Sequence, residues 1–279
     1  MRGGPLTAPH PEEAARAAPR ADHAPPVADK LPAMGLAVPD LPDTAPAWRV
    51  EVADCLDLLA GLADESIDCI VTDPAYSGMN EHMQFGRGRI VGRYGEPGNT
   101  RWFQEFRDDP ATFSRFLGEC HRVLRPDRHI YVMFDSFSLL SLGALVREHF
   151  NVKGLIVWDK VNIGMGHYFR RRHELVVFAS KGSRRLSRRD LSDVWRIKRI
   201  HRGAYPTQKP VELFSRMLMG SVEPGMVVCD PFAGSGSSAL ASLAAGCSFV
   251  GADISGAAVT LARERCAAFA TTGKDPLGR

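Results

Sequence analysis

From residue 47 onward, short runs of apolar and β-branched residues alternate with longer stretches whose apolar positions recur at helical spacing. The runs Trp48–Ala53, Ile67–Thr72, His129–Phe134, Leu155–Asp159, Glu174–Ala179, Met226–Cys229 and Phe249–Ala252 are expected as strands. Helices are expected at 55–62, 110–124, 136–149, 210–222, 237–245 and 255–270. Pro110, directly after Asp109, marks the start of one helix, and Ser255 is placed to cap the last. Strands that are continuously apolar are buried on both faces, so their alternation with helices predicts a parallel sheet in an α/β fold. One domain over 47–270 is the simplest count. Residues 1–46 break the pattern: they hold ten of the chain's 19 prolines and show no period, so they are expected as a disordered tail. Residues 271–279 are expected as a short disordered C-terminal tail.

Composition narrows the class. The chain has 279 residues, 44% of them hydrophobic, enough to bury a full core. No apolar run approaches the roughly 18 residues of a membrane span, so no membrane partner is expected. The N-terminus carries no apolar secretion core, and a cytoplasmic protein is expected. Six cysteines (55, 69, 120, 229, 247, 266) are scattered without a C-x-x-C pair, which argues against a zinc module and a disulfide framework. The net charge of +3 says little, but its distribution says more. Residues 167–202 hold twelve Lys/Arg against three acids, so the rest of the chain is net negative. Such a patch is the footprint of a polyanion partner or, alternatively, a solvated charged face.

Two segments carry candidate chemistry. In the first, the apolar strand ending at Asp230 leads through Pro231-Phe232-Ala233-Gly234-Ser235-Gly236 into a helix at about Ser237. Gly234 and Gly236 permit a tight turn and close backbone approach to a ligand. A second apolar strand then ends in Asp253, placed to bind the vicinal hydroxyls of a ribose. Strand, Gly-rich turn, helix, strand and acid in this order point to a nucleoside cofactor beyond the strands' carboxyl ends. The permissive dinucleotide pattern also fits Gly234-Ser-Gly236-Ser-Ser-Ala239, so NAD stays open on these residues alone.

In the second segment, the strand Ile67–Thr72 ends in Asp73-Pro74-Ala75-Tyr76. This tetrapeptide resembles the D-P-P-Y motif of amino-group DNA methyltransferases. Asp-Pro-Phe-Ala-Gly-Ser-Gly resembles that family's S-adenosylmethionine (SAM) motif. Tyr205-Pro-Thr-Gln-Lys-Pro210 resembles the P-T-Q-K-P element of its β group, in which the catalytic motif precedes the cofactor motif, as in this chain. Ala53-Asp54-Cys-Leu resembles the G-D-x-L element that helps hold the adenine of the cofactor. The resemblance spans about 50–265 and disfavours NAD. It implies a mostly parallel, seven-stranded methyltransferase sheet with one reversed strand, helices on both faces and a circularly permuted motif order.

The implied chemistry is methyl transfer from SAM to the exocyclic amine of a flipped base, most simply adenine N6, with cytosine N4 as the alternative. Such an amine is a poor nucleophile because its lone pair is delocalised into the ring. Two acceptors aimed at its N–H bonds return the lone pair to nitrogen; Asp73 supplies a carboxylate and Pro74 a carbonyl. Rate then comes from positioning and oriented dipoles. Tyr76 is expected to stack on the flipped base. The departure at Ala75, where the family has a second proline, loosens the constraint on the Pro74 carbonyl. That favours the competing reading of a weakly active, SAM-retaining DNA-binding protein. The resemblance assigns Thr207 and Lys209 to the cofactor, with Lys209 or nearby backbone meeting its methionine carboxylate, alongside Asp54, Asp230, Phe232, Ala233, Gly234, Ser235, Gly236 and Asp253.

Double-stranded DNA is the expected partner. Arg184, Arg185, Arg188 and Arg189, in the segment 181–202, are expected to contact phosphates. Arg87, Arg89 and Arg93, in the long loop 77–106, are expected to help read bases. The run His167-Tyr-Phe-Arg-Arg-Arg-His173-Glu174 resembles the family's R-x-x-H-E element near the target base, and no metal is expected. The resemblance leaves open a homodimer, a cognate restriction endonuclease as partner, and the recognition sequence.

Overall fold

The computed structural model describes residues 46–76, 84–85, 89–90, 109–164, 169–201, 203–205 and 207–278. The elements run β1 (Trp48–Val52), α1 (Cys55–Ala60), β2 (Ile67–Thr72), the two-residue strands β3 (Gln84–Phe85) and β4 (Arg89–Ile90), α2 (Pro110–Val123), β5 (Leu124–Phe134) and α3 (Ser136–His149). They continue β6 (Asn151–Asp159), β7 (His173–Lys181), β8 (Val194–Arg196), α4 (Val211–Leu218), β9 (Val227–Asp230), α5 (Ser237–Ala244), β10 (Ser248–Asp253) and α6 (Gly256–Thr272). The Asp109 side chain caps α2 through Thr112 N, and Ser255 caps α6 through Ala258 N, as their positions predicted.

The main sheet has eight strands in the order β1-β10-β9-β2-β5-β7-β6-β8. β7 is antiparallel to both β5 and β6, and the other pairs are parallel, so one strand is reversed. The strand beyond the seven predicted is β8, whose three residues bury only Trp195. A strand that short has no apolar run to announce it. β5 and β6 also start earlier than predicted, because their first residues are largely polar and exposed.

Apolar residues fill both faces. α1, α2 and α3 pack on one face through Leu59, Phe116 and Val146, and α4, α5 and α6 on the other through Leu213, Ala239 and Ala262. The chain leaves β2 rightward to β5 and leaves β9 leftward to β10, so the order reverses between β2 and β9. In open α/β sheets that switch point opens a crevice at the carboxyl ends of the strands. At this carboxyl edge β9 and β10 end in Asp230 and Asp253, while Asp73 and Asp135 directly follow β2 and β5 and Asp54 closely follows β1.

The predicted C-terminal tail is not one over its first part. α6 extends to Thr272, Gly273 closes it at φ 66°, and Asp275 returns to bond Arg265. The predicted tail 1–46 lies outside the described residues except for Pro46.

Candidate active site

Asp73 sits where β2 ends, beside the switch point. Its Oδ2 accepts a hydrogen bond from the Lys209 ammonium. Lys209 also lies 3.7 Å from Glu174 Oε2, and Lys160 donates to Glu174 Oε1 at 3.0 Å. The charges alternate along Lys160, Glu174, Lys209 and Asp73. Burial raises the Asp73 pKa; Lys209 pulls it down, Glu174 pushes it up, and the net shift is upward. Burial also works against ionised Glu174, but Lys209 and Lys160 outweigh it and hold its pKa below the usual value. For Lys209 burial acts to lower the pKa, and the two carboxylates overcome it, so the ammonium is held charged. Lys209, read from the resemblance as a cofactor residue, is ion-paired with Asp73 in this structure.

The Pro74 carbonyl is fixed locally. It accepts the Tyr76 backbone N–H at 3.0 Å across Ala75, a tight three-residue turn. A carbonyl has two lone pairs, so one remains for a substrate amine. The turn supplies restraint where the family's second proline is missing. Tyr76 departs from its expected role. It is 2% exposed, its ring stacks on Phe134 at 5.2 Å, and its hydroxyl donates to Met133 O at 2.9 Å. An aromatic side chain with a partner for its hydroxyl gains more in the core than at an open edge, so Tyr76 anchors the motif instead of offering a face to a base. Tyr76→Phe should cost about 1 kcal/mol of stability by denaturant titration. Unchanged stability would remove the anchor.

The Gly-rich turn separates into a scaffold and an exposed lip. Asp230 is 1% exposed; its oxygens accept from Phe232 N at 2.9 Å and Ser238 Oγ at 2.6 Å. It therefore shapes the turn from within. Ala233 donates its N–H to Ala252 O, and Ser235 is buried with its carbonyl oxygen 2.6 Å from Arg265 Nη1. Gly236, at φ 80°, is required by packing: a Cβ there would come within 2.9 Å of Ala262 Cβ. Gly234, at φ 50°, faces open space, where an added Cβ meets nothing closer than Phe232 O at 4.0 Å. Asp253 Oδ2 accepts from Gly234 N at 3.0 Å and Oδ1 from Ser255 N at 2.8 Å, and the residue stays half-buried. Phe232 is half-buried against Phe116, and Asp54, the α1 cap, is exposed. Gly234, Asp253, Phe232 and Asp54 thus stay accessible at the carboxyl edge, and Asp230, Ala233, Ser235 and Gly236 are buried beneath them.

Burial raises the Asp230 pKa to about 7. A group whose folded pKa is raised stabilises the fold fully below its unfolded pKa and loses that contribution as pH climbs through the folded value. Relative to Asp230→Asn, the native chain should therefore lose melting temperature between about pH 4 and pH 7. Parallel melting curves across that range would contradict the assignment.

The loop ahead of α4 ties the two halves together. The Tyr205 hydroxyl bonds Ser255 and lies near Asp253, while Lys209 reaches Asp73. Thr207 between them is exposed and holds φ 58°, a rare conformation for a β-branched residue and one that persists where surrounding structure enforces it. Gln208 Oε1 accepts from Ala204 N at 3.0 Å, and its buried Nε2 has no hydrogen-bond partner among the described residues. Tyr205, Glu174, Lys160 and Arg265 were absent from the site expected from sequence. Glu174 and Tyr205 stood within the R-x-x-H-E and P-T-Q-K-P resemblances; nothing local in the sequence marked Lys160 or Arg265.

The basic segment divides. Arg170, Arg171 and Arg172 precede β7, and Arg196, Lys198 and Arg199 end or follow β8, so these lie at the carboxyl edge with the site. Arg171 sits 4.8 Å from the centroid of the exposed Phe137 ring, and Phe169 is fully exposed. Arg184, Arg185, Arg188 and Arg189 follow the far end of β7 and lie at the amino edge. The four arginines expected to contact phosphates therefore stand at the edge of the sheet opposite Asp73. Arg87 and Arg93 lie outside the described residues, and Arg89 is described only as part of β4.

A carboxylate and a carbonyl at one strand end, beside a nucleoside-fitting turn at the switch point, define an amino-group methyltransferase. The DNA methylase family of N6 and N4 amino-methylating enzymes matches residues 67–264, and the chain belongs to that family. Among curated relatives, the Type II methyltransferase M2.DpnII of Streptococcus pneumoniae is 25% identical over 76% of this chain and 87% of its own length. The methylase YubD of Escherichia coli is 29% identical over 72% of this chain and 82% of its own. Among solved structures, a DNA modification methylase of Thermus thermophilus aligns at a TM-score of 0.59 with 20% identity, over 82% of this chain and 97% of that one. The cytosine-N4-specific PvuII DNA methyltransferase aligns at 0.60 with 17% identity, over 79% and 86%.

Proposed function

We propose that this DNA methyltransferase transfers a methyl group to the N6 amine of adenine in double-stranded DNA, with SAM as donor, in a cytoplasmic restriction–modification setting beside a cognate endonuclease. The observation that carries the reading is the pair of acceptors at the end of β2. Asp73 Oδ1 has no partner among the described residues, and the Pro74 carbonyl is fixed by the Tyr76 N–H. SAM, when bound, supplies an electrophilic methyl on sulfur. Asp73 and Pro74 accept the two N–H bonds of the amine and so return its lone pair to nitrogen. As the N–C bond forms and the C–S bond breaks, one amine proton passes to Asp73 or on to water. Lys209 favours the ionised carboxylate and occupies its second oxygen, which leaves a single orientation for the base. Gly234 and Asp253 would hold the donor, Asp253 through its ribose. The positive carboxyl edge, Arg170 to Arg172 with Arg196 to Arg199, receives the phosphates.

Asp in first place of the tetrapeptide favours adenine. Incubating the purified protein with unmethylated plasmid DNA and SAM, then analysing nucleosides by mass spectrometry, should yield N6-methyladenine. N4-methylcytosine would replace the base assignment. No methylated nucleoside, with SAM and DNA both bound, would favour the SAM-retaining DNA-binding protein.

A further inference from the structure

The amino edge carries a second basic surface that methyl transfer does not use. The chain from Gly182 to Leu191 crosses the bottom of the sheet between β7 and β8. With Lys153 and Phe178 it lines an open groove of about 630 Å³, walled by Ser183, Arg184, Arg185, Leu186, Ser187, Arg188 and Arg189. Arg188 pairs with Asp190 and Arg184 with Glu223, while Arg185, Arg189 and Lys153 have no ionic partner among the described residues.

The loop is held in place along its length. Asp127 Oδ1 accepts the Ser183 N–H at 2.9 Å, His129 Nε2 lies 3.1 Å from Arg184 O, and Ser187 N donates to Gly220 O at 2.9 Å. Leu186 and Leu191 pack so closely on Gly220 that a Cβ there would meet them at 3.2 and 3.0 Å. A merely solvated run of arginines needs none of these ties. Charge on a fixed loop loses less freedom when it binds.

Position sets the groove apart from the target base. Glu174, beside Lys209, and Lys181, at the loop's start, stand seven residues apart on one strand, or roughly 24 Å. Smoothly bending a site by 40–90° already costs about 1–6 kcal/mol, and reaching the opposite edge requires a larger turn. We propose that the 183–189 groove binds the phosphodiester backbone of a DNA segment other than the one carrying the target base. The enzyme would then hold two stretches of DNA, and a long substrate would stay tethered between methylation events. The proposal rests on the DNA methyltransferase reading, which methylation of a short duplex checks separately.

The test uses the full chain and the R185E/R189E double variant. A biotinylated 20-bp duplex with one target site is saturated with protein and offered a labelled, site-free 20-bp duplex. Native protein should retain the second duplex, with retention falling steeply as salt rises. The variant should retain at least tenfold less and have a flatter salt slope, by about 0.9 per lost contact. Its methylation of the single-site duplex should stay within twofold of native, while methylation of kilobase DNA at matched site concentration should fall several-fold. Retention by the variant equal to native would overturn the proposal, because a dimer with two catalytic faces would then be the bridge. Equal loss on short and long substrates would overturn it too, by placing the loop on the target duplex. So would retention of a labelled single-stranded RNA in place of the duplex.

Discussion

Asp73→Ala should lower single-turnover methylation by at least a hundredfold while SAM binding stays within about twofold, since losing one oriented group at a reacting atom costs on the order of 10²–10³ in rate. The variant should fold. Lys209, robbed of Asp73, keeps Glu174 at 3.7 Å and is not left as an unpaired buried charge. The loss should fall on the chemical step, because Asp73 meets the amine and does not touch the cofactor surface at Gly234 and Asp253. Asp73→Asn is the sharper probe: it preserves shape, but its amide turns at least one donor toward either Lys209 or the amine, both of which need an acceptor. The native enzyme should also show an acid limb in kcat/KM above the ordinary aspartate value, since the raised pKa means the carboxylate is protonated, and unable to accept, sooner as pH falls. Near-normal single-turnover rates in both variants would sink the mechanism.

How much of this was legible in the sequence depends on the range of the interaction concerned. The two loci were readable because each is local: an apolar strand running into Asp73-Pro74, and another running through Asp230 into Gly234 and Gly236. The single reversed strand was legible only through the family resemblance. The alternating charges were not readable, because Lys160, Glu174, Lys209 and Asp73 come from separate parts of the chain and meet only when β2, β7 and the loop before α4 converge. Tyr76 misled for a related reason. Its place in the tetrapeptide suggests a surface role, but its environment is set by Phe113 and Phe134, distant in sequence. The division of the basic run was not readable either: it is continuous in sequence, and β7 carries one part of it to the other edge of the sheet.

Arg265→Ala should be the most damaging change outside the catalytic pair. Its guanidinium is fully buried beneath the Gly-rich turn, with Nη1 2.6 Å from Ser235 O and 3.2 Å from Ser237 Oγ. Nε and Nη2 engage both oxygens of Asp275 at 3.1 and 2.8 Å, a forked pairing that lysine cannot reproduce. Removing it leaves a cavity, strips Ser235 O of its donor and frees the segment after α6. Breaking one side of a buried pair costs about 3–5 kcal/mol, and Asp275, close to the surface, can recover part of that by turning to water. A loss near 3 kcal/mol would lower the melting temperature by about 6–12 °C for a domain of this size. SAM affinity should fall with it by about tenfold, or 1.4 kcal/mol, because the backbone that presents Gly234 is built on Ser235. Arg265→Lys should recover only part of either loss, and deleting residues 274–279 should reproduce the stability loss with less effect on SAM. A melting temperature within 2 °C of native for Arg265→Ala would show that the turn holds its shape through Asp230 and the Ala262 contact alone.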